Sequence, residues 1–279
     1  MTNLPTLGRR GFVMTSLMTG FTTAVARAAA DPIHTDDIRL EVGEIQIPVA
    51  DGHLPGYFAR PEKHGPHTIV LVIEEIFGVH EYIKDVCRRF AKLGYLAVAP
   101  ELYARVGDPG TLSNPQEIFD KIILKAPDAT MLSDLDSTAD WAAANGGDPK
   151  RLVVAGFCRG GRDTWLYAAH NPRLKMALAW YGPVVGPTSP IQPKTPMDVA
   201  AHLKCPLYGF YGGKDDSIHL ADVNAAAAKA NEAGGQVRIQ VFPDAGHGFF
   251  ADYRDSYRPM DAAQSFGLAI AAMRFAGLT

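Results

Sequence analysis

Cysteine is scarce in this chain: its 279 residues contain three, Cys87, Cys158 and Cys205. The odd number, the wide separations and the lack of a C-x-x-C pair argue against a disulfide framework and against a zinc site, although a single Cys87–Cys205 bridge stays open. A charge excess is also missing. Lys and Arg number 27 against 30 Asp and Glu, for a formal net charge of -3, so neither a nucleic-acid backbone nor an anionic membrane surface is a natural partner. Internal repeats, low-complexity tracts and an interdomain linker are absent too. What the chain does have is apolar material. At 47% hydrophobic and 20% charged residues, it can bury a full core, over a length that suits one large α/β domain or two small ones.

Residues 1–30 read as a targeting segment rather than as part of a fold. Arg9 and Arg10 precede a weakly apolar stretch diluted by Thr15, Ser16, Thr19, Thr22 and Thr23, and small residues then permit an A-x-A cut after Ala28 or Ala30. The paired arginines, Phe12 two positions later and the modest hydrophobicity resemble a twin-arginine export signal, with Gly8 and Met14 departing from the usual residues. An N-terminal membrane anchor is the alternative, but the run is short for a span of about 20 residues and no other candidate span follows. The expectation is export, to the periplasm, of a folded protein comprising residues 31–279 as a single α/β domain with no membrane span. Loss of Arg9, Arg10 and Arg27 would leave it more acidic.

After a polar linker at residues 31–37, alternation of apolar and polar residues over 44–60 around Asp51-Gly52 predicts an antiparallel hairpin. TIVLVIEE (68–75) then reads as a buried strand, HEYIKDVCRRFAKLGY (80–95) as a helix and LAVAP (96–100) as another buried strand. This order signals a parallel sheet with crossover helices. Helix patterns recur at 129–145, 158–170, 219–235 and 261–277, and strand patterns at 151–157, 175–182, 205–213 and 236–246. The fold class expected is α/β, a mostly parallel twisted sheet with helices on both faces. The Pro- and Gly-rich segment GPVVGPTSPIQPKTP (182–196) reads as an excursion over the sheet edge.

The chemistry concentrates at VVAGFCRGGR (153–162), where Gly156, Cys158 and Gly160 take the G-x-C-x-G spacing of a nucleophile elbow with sulfur in place of a hydroxyl. Gly156 and Gly160 clear the turn, Gly161 favours close helix packing, and the N-terminus of the following helix favours thiolate. A buried structural cysteine is the plain alternative. Two later motifs weigh against it. YGGKDD places Asp215 just past a strand and GHGF places His247 just past the next, so that nucleophile, acid and histidine follow in the chain order of an α/β-hydrolase. Asp216 is a weaker choice of acid, and His80, His170 and His219 default to surface or capping roles. His64 and His67 lack a third ligand, so no metal is expected.

In order along the chain, EEIFGVHEYIKDV, GYLAVAPELYAR, GFCRGG, YGGKDD and GHGF resemble the motifs of the dienelactone hydrolase family, the carboxymethylenebutenolidases, from about residue 44 to the C-terminus. The resemblance implies a single α/β-hydrolase domain, a Cys158, His247 and Asp215 triad, a small-molecule ester or lactone substrate and no cofactor. It assigns Glu75 to the glutamate that hydrogen-bonds the resting thiol, and the backbone N–H groups of Ile76 and Arg159 to an oxyanion hole. The chain departs from the founding pattern at Ala251, where an arginine four residues after the histidine would hold a substrate carboxylate. Arg254, Arg258, Arg159 and Arg162 are the substitutes at hand, although Arg159 is also spaced for an i to i+4 pair with Asp163. Tyr103, Trp180 and Tyr181 follow strands at the same end and are candidates for lining the pocket, with core packing as the alternative.

Sulfur constrains the substrate as well. A thiolate that has attacked a carbonyl is itself a good leaving group, so productive turnover needs a substrate leaving group of comparable quality, as in enol esters, lactones and activated esters. The reading is therefore a hydrolase acting through a thioester. A broad carboxylesterase and a catalytically silent scaffold that binds a small molecule are the alternatives. The oligomeric state is not legible.

Overall fold

The chain folds around a hairpin and a parallel sheet, and a computed structural model describes residues 32–279 except 64 and 113. The expected export segment and His64 therefore lie outside the described residues. The hairpin pairs β1 (Leu40–Val49) with β2 (Gly52–Pro61) in the register Val49 opposite Gly52. Gly52 adopts φ 140°, a conformation that glycine reaches without steric cost.

The remaining strands are β3 (His67–Ile73), β4 (Leu96–Pro100), β5 (Gly147–Phe157), β6 (Leu174–Trp180), β7 (Leu207–Gly212) and β8 (Val237–Phe242). They complete one eight-stranded sheet in the order β1-β2-β4-β3-β5-β6-β7-β8, with β3 to β8 parallel and β1 and β2 antiparallel. Thr68 to Ile73 and Leu152 to Phe157 are buried without a break. Successive strand residues point to opposite faces, so both faces of the central sheet are covered.

The covering helices are α1 (Glu81–Lys92), α2 (Pro115–Lys121), α3 (Asp128–Ala144), α4 (Arg159–His170), α5 (Pro196–Val199), α6 (Leu220–Glu232) and α7 (Pro259–Phe275). No helix among the described residues is long and apolar enough to cross a membrane. The short α2 has no counterpart in the sequence reading. Its start is nonetheless locally specified, since the Asn114 side chain accepts from the Gln116 N–H at 2.8 Å and Pro115 occupies the first turn.

The topology decides where a site can form. From β3 the chain passes to β4 on one side, while β5 lies on the other, so the sheet order reverses between β3 and β5. Ligand crevices in open α/β sheets form beyond the carboxyl ends of strands at such a reversal. Here the segment Glu74-Glu75-Ile76 leaves β3 and Cys158 leaves β5. One sequence expectation is corrected: the loop at 182–195 is no edge excursion. It leaves β6, an interior strand, and crosses over the sheet end, where the Asp128 N–H donates to the Ile191 carbonyl at 2.9 Å and Gln192 Nε2 to the Ile123 and Ala126 carbonyls at 2.6 and 2.8 Å.

Candidate active site

β5 leads into Cys158, whose backbone takes φ 54° and ψ -116°, a conformation that costs an L-residue strain and persists only where the surroundings impose it. The constraints are visible. The Cys158 N–H donates to the Trp180 carbonyl at 3.0 Å, and its own carbonyl accepts from Gly161 and Arg162 at 2.9 and 3.3 Å to start α4. A Cβ on Gly156 would lie 2.1 Å from the Gly160 carbonyl oxygen, and one on Gly160 would lie 2.4 Å from that of Ile73. The turn thus closes only with glycine at both places, and it leaves the sulfur at the N-terminus of α4.

Asp215 and His247 arrive on the loops after β7 and β8. The two loops are tied together by Gly213 donating to Phe242 and Lys214 to Ala245, both at 2.8 Å. His247 Nδ1 lies 2.8 Å from Asp215 Oδ2. The other carboxylate oxygen accepts from Ser217 N–H at 2.9 Å, Ser217 Oγ at 2.6 Å and Ile218 N–H at 3.1 Å. Burial works against the Asp215 charge, but His247 and these donors hold its carboxyl below the usual carboxylate range. Asp216 is exposed and takes no part. For His247, burial favours the neutral ring, yet the Asp215 carboxylate and the adjacent Cys158 sulfur retain the proton, and its pKa is pushed up to about 10.

A cavity of about 60 Å³ opens beside the sulfur, walled by Cys158, Ile76, Arg159 and Arg162 together with residues of the 182–195 loop, among them Val185 and Gln192. Ile76 follows the exit of β3 and Arg159 opens α4, so both residues sit at the ends of adjacent strands and both wall the cavity.

Several expected roles are corrected. Glu75 is fully buried but does not bond the thiol; its oxygens accept from the Tyr253 hydroxyl and from Arg254 Nη2 at 3.1 Å. Arg254 is consequently committed to Glu75, with its guanidinium over the Phe77 and Tyr253 rings, and it does not wall the cavity. Arg162 does wall it, but its guanidinium is bound to Asp128 at 2.7 and 2.8 Å and to Asp163 at 2.8 Å. The i to i+4 alternative for Arg159 is realised, with Nε 3.3 Å from Asp163 Oδ1. None of Tyr103, Trp180 and Tyr181 walls the cavity. Trp180 is core, stacked on Phe157 and Phe210 and bonded through Nε1 to Ser265 Oγ at 3.1 Å. Tyr181, at φ 37°, turns its ring edge-on to His247 with centroids 5.1 Å apart, and Tyr103 is buried. A sheet covered on both faces draws strand-end aromatics into its layers instead of leaving them at the rim.

Of the histidines set aside, His170 pairs with Asp136 at 2.8 Å, and His67 joins the Gly94 and Lys63 carbonyls at 3.0 Å each. His80 precedes α1 but does not cap it; it packs against Tyr82 and Tyr253. The two free cysteines outside the site, Cys87 and Cys205, are buried and unpaired by any disulfide. The sequence reading missed Ser217, although a serine two residues after an aspartate is a turn signal. It also missed Tyr253 and the placement of the 182–195 loop over the cavity, although a loop of that length was itself a signal of function.

A model of the dienelactone hydrolase family matches residues 54–275. A Methylorubrum extorquens protein named "Putative carboxymethylenebutenolidase" is 52% identical over 255 residues, covering 91% of this chain and 88% of its own. An Escherichia coli protein of the same name is 47% identical over 249 residues, covering 89% and 92%. The crystal structure of a Klebsiella pneumoniae "Putative Dienelactone Hydrolase" superposes with a TM-score of 0.82 at 48% identity, over 83% of this chain and 97% of that one.

Proposed function

The chain belongs to the dienelactone hydrolase family, and from that premise we propose that it hydrolyses a small lactone or activated carboxylic ester through a thioester on Cys158. One observation carries the reading: His247, oriented by Asp215 at 2.8 Å, lies against the sulfur of a strained elbow cysteine. With its proton carried by His247, the sulfur attacks the acyl carbon. The oxygen that becomes negative is held by the Ile76 and Arg159 N–H groups, an interaction worth roughly 100 to 1,000-fold per donor. Collapse of the tetrahedral adduct breaks the carbon–oxygen bond to the leaving group, which His247 protonates. Water, deprotonated by the same ring, then attacks the thioester, releasing the carboxylic acid and restoring the thiol. Asp215 holds the tautomer and stabilises the imidazolium. In the same reading, residues 1–30 direct the folded enzyme to the periplasm, which N-terminal sequencing of the protein from fractionated cells would test.

The test of function is hydrolysis of a dienelactone and of an aryl acetate by the protein and by Cys158→Ala, with and without iodoacetamide. Turnover that disappears with the thiol is expected. Turnover that survives Cys158→Ala would exclude the sulfur mechanism, and no turnover of either ester would favour a ligand-binding scaffold.

A further inference from the structure

The cavity beside Cys158 measures about 60 Å³, against the roughly 300 to 1,000 Å³ of most small-molecule pockets. Two segments narrow it. Phe119 and Leu124 come from the stretch 115–126, and Val185 and Pro187 from the tip of the 182–195 loop. That tip is barely buried, since every residue from Val185 to Lys194 is exposed except one. The exception is Gln192, at 4% exposure, a polar residue in a place where an apolar anchor is the rule. Its side-chain amide is committed to the other segment, where Nε2 donates to the Ile123 carbonyl at 2.6 Å and to the Ala126 carbonyl at 2.8 Å, on either side of Leu124. Its Oε1 faces Arg159 Nη1 at 3.5 Å. Its backbone exchanges hydrogen bonds with Ser189 at 2.9 and 3.1 Å, so the tip of the loop is fastened to the same residue.

Hydrogen bonds, more than apolar packing, therefore hold this loop. On the flanks of Gln192, the Asp128 N–H on the Ile191 carbonyl and Arg162 Nη2 on the Lys194 carbonyl, both at 2.9 Å, add to the hold. Lifting the tip exposes little new apolar surface, and its main cost is the loss of the two bonds that Gln192 makes to buried carbonyls. We propose that Gln192 is a latch that fixes the size of the group admitted to Cys158: closed, it confines the site to compact acyl groups such as those of small lactones, and extended chains react only as it releases. In its account of substrate choice the inference rests on the hydrolase reading, whereas the latch itself does not.

The experiment compares p-nitrophenyl acetate with p-nitrophenyl octanoate, which share a leaving group and differ in acyl length. Wild type is expected to favour the acetate by about tenfold or more in kcat/KM. Gln192→Leu keeps the bulk of the side chain and removes both donors, and is expected to narrow that ratio by about fivefold or more. Octanoate turned over by wild type as fast as acetate would overturn the inference, a result that depends on no variant folding. A ratio unmoved in a folded Gln192→Leu would overturn the latch even if Gln192→Ala moves it, because only bulk would then matter. Labelling of Cys158 by iodoacetamide and by the bulkier N-phenylmaleimide, followed by mass mapping, reads the latch without turnover. The maleimide-to-iodoacetamide rate ratio is expected to rise by about fivefold or more in Gln192→Leu. If neither ester is hydrolysed, the hydrolase reading fails, and this labelling ratio alone upholds the latch by rising or overturns it by staying level.

Discussion

Cys158 and Cys87 are equally shut away from water, at 2% and 0% exposure, yet their surroundings differ in kind. Cys87 sits mid-helix in α1 within the apolar core, where burial pushes its thiol well above the ordinary range and the cation of Arg88 offsets only part of the effect. Cys205, in the core before β7, is likewise pushed up to about 12 by burial. Cys158 lies at a strained turn, at the start of a helix and against a histidine that keeps its proton. Burial alone makes a thiol inert, whereas the same degree of burial at the end of β5 brings it a helix N-terminus and a histidine paired with Asp215.

The sharpest way to break this contrast is to exchange the fates of the two sulfurs. Cys158→Ala is expected to lower ester turnover by about 10⁶-fold, while Cys87→Ala keeps activity and loses about 1 kcal/mol of stability from the missing core atom. Initial rates and denaturant midpoints measure the two effects. Mass mapping after brief iodoacetamide treatment should find the label on Cys158 and none on Cys87 or Cys205.

Asp215→Asn is the next largest change, expected to cost roughly 10⁴-fold in kcat by releasing the imidazole tautomer. It also shifts the pH profile. In the wild type the retained His247 proton serves the leaving group, so kcat/KM should fall as pH rises through about 10, and the variant should lose activity at lower pH. Stability follows the same sign. A folded-state value raised from 6.5 stabilises fully below about 6.5, and that contribution is lost as pH rises through about 10. An alkaline limb at the same pH in wild type and Asp215→Asn would dissociate the limb from His247.

Glycine positions give a smaller effect. Gly160→Ala would press a methyl against the Ile73 carbonyl and is expected to destabilise by about 1 to 3 kcal/mol, with a loss of turnover larger than that of stability because the elbow itself is displaced. Thermal unfolding and kcat measured side by side decide it. Equal stability and activity to wild type would show that the turn tolerates a side chain.

Local features were legible in the amino-acid order. Strand and helix periods located the eight strands and the long helices, the Asp51-Gly52 turn announced the hairpin, and G-x-C-x-G with its two downstream loops pointed to Cys158, Asp215 and His247. Each of these depends on a few neighbouring residues, through backbone geometry or side-chain period, so the sequence by itself determined them. The partners of the charged residues were a different matter. Glu75 meets Arg254 across 179 positions and Arg162 meets Asp128 across 34. The 182–195 loop found its place only because β6 is an interior strand. Only the tertiary structure decided these, because buried charges choose their partners by proximity in a space from which water is excluded. That proximity is set by the packing of whole elements and is not written in the spacing of residues.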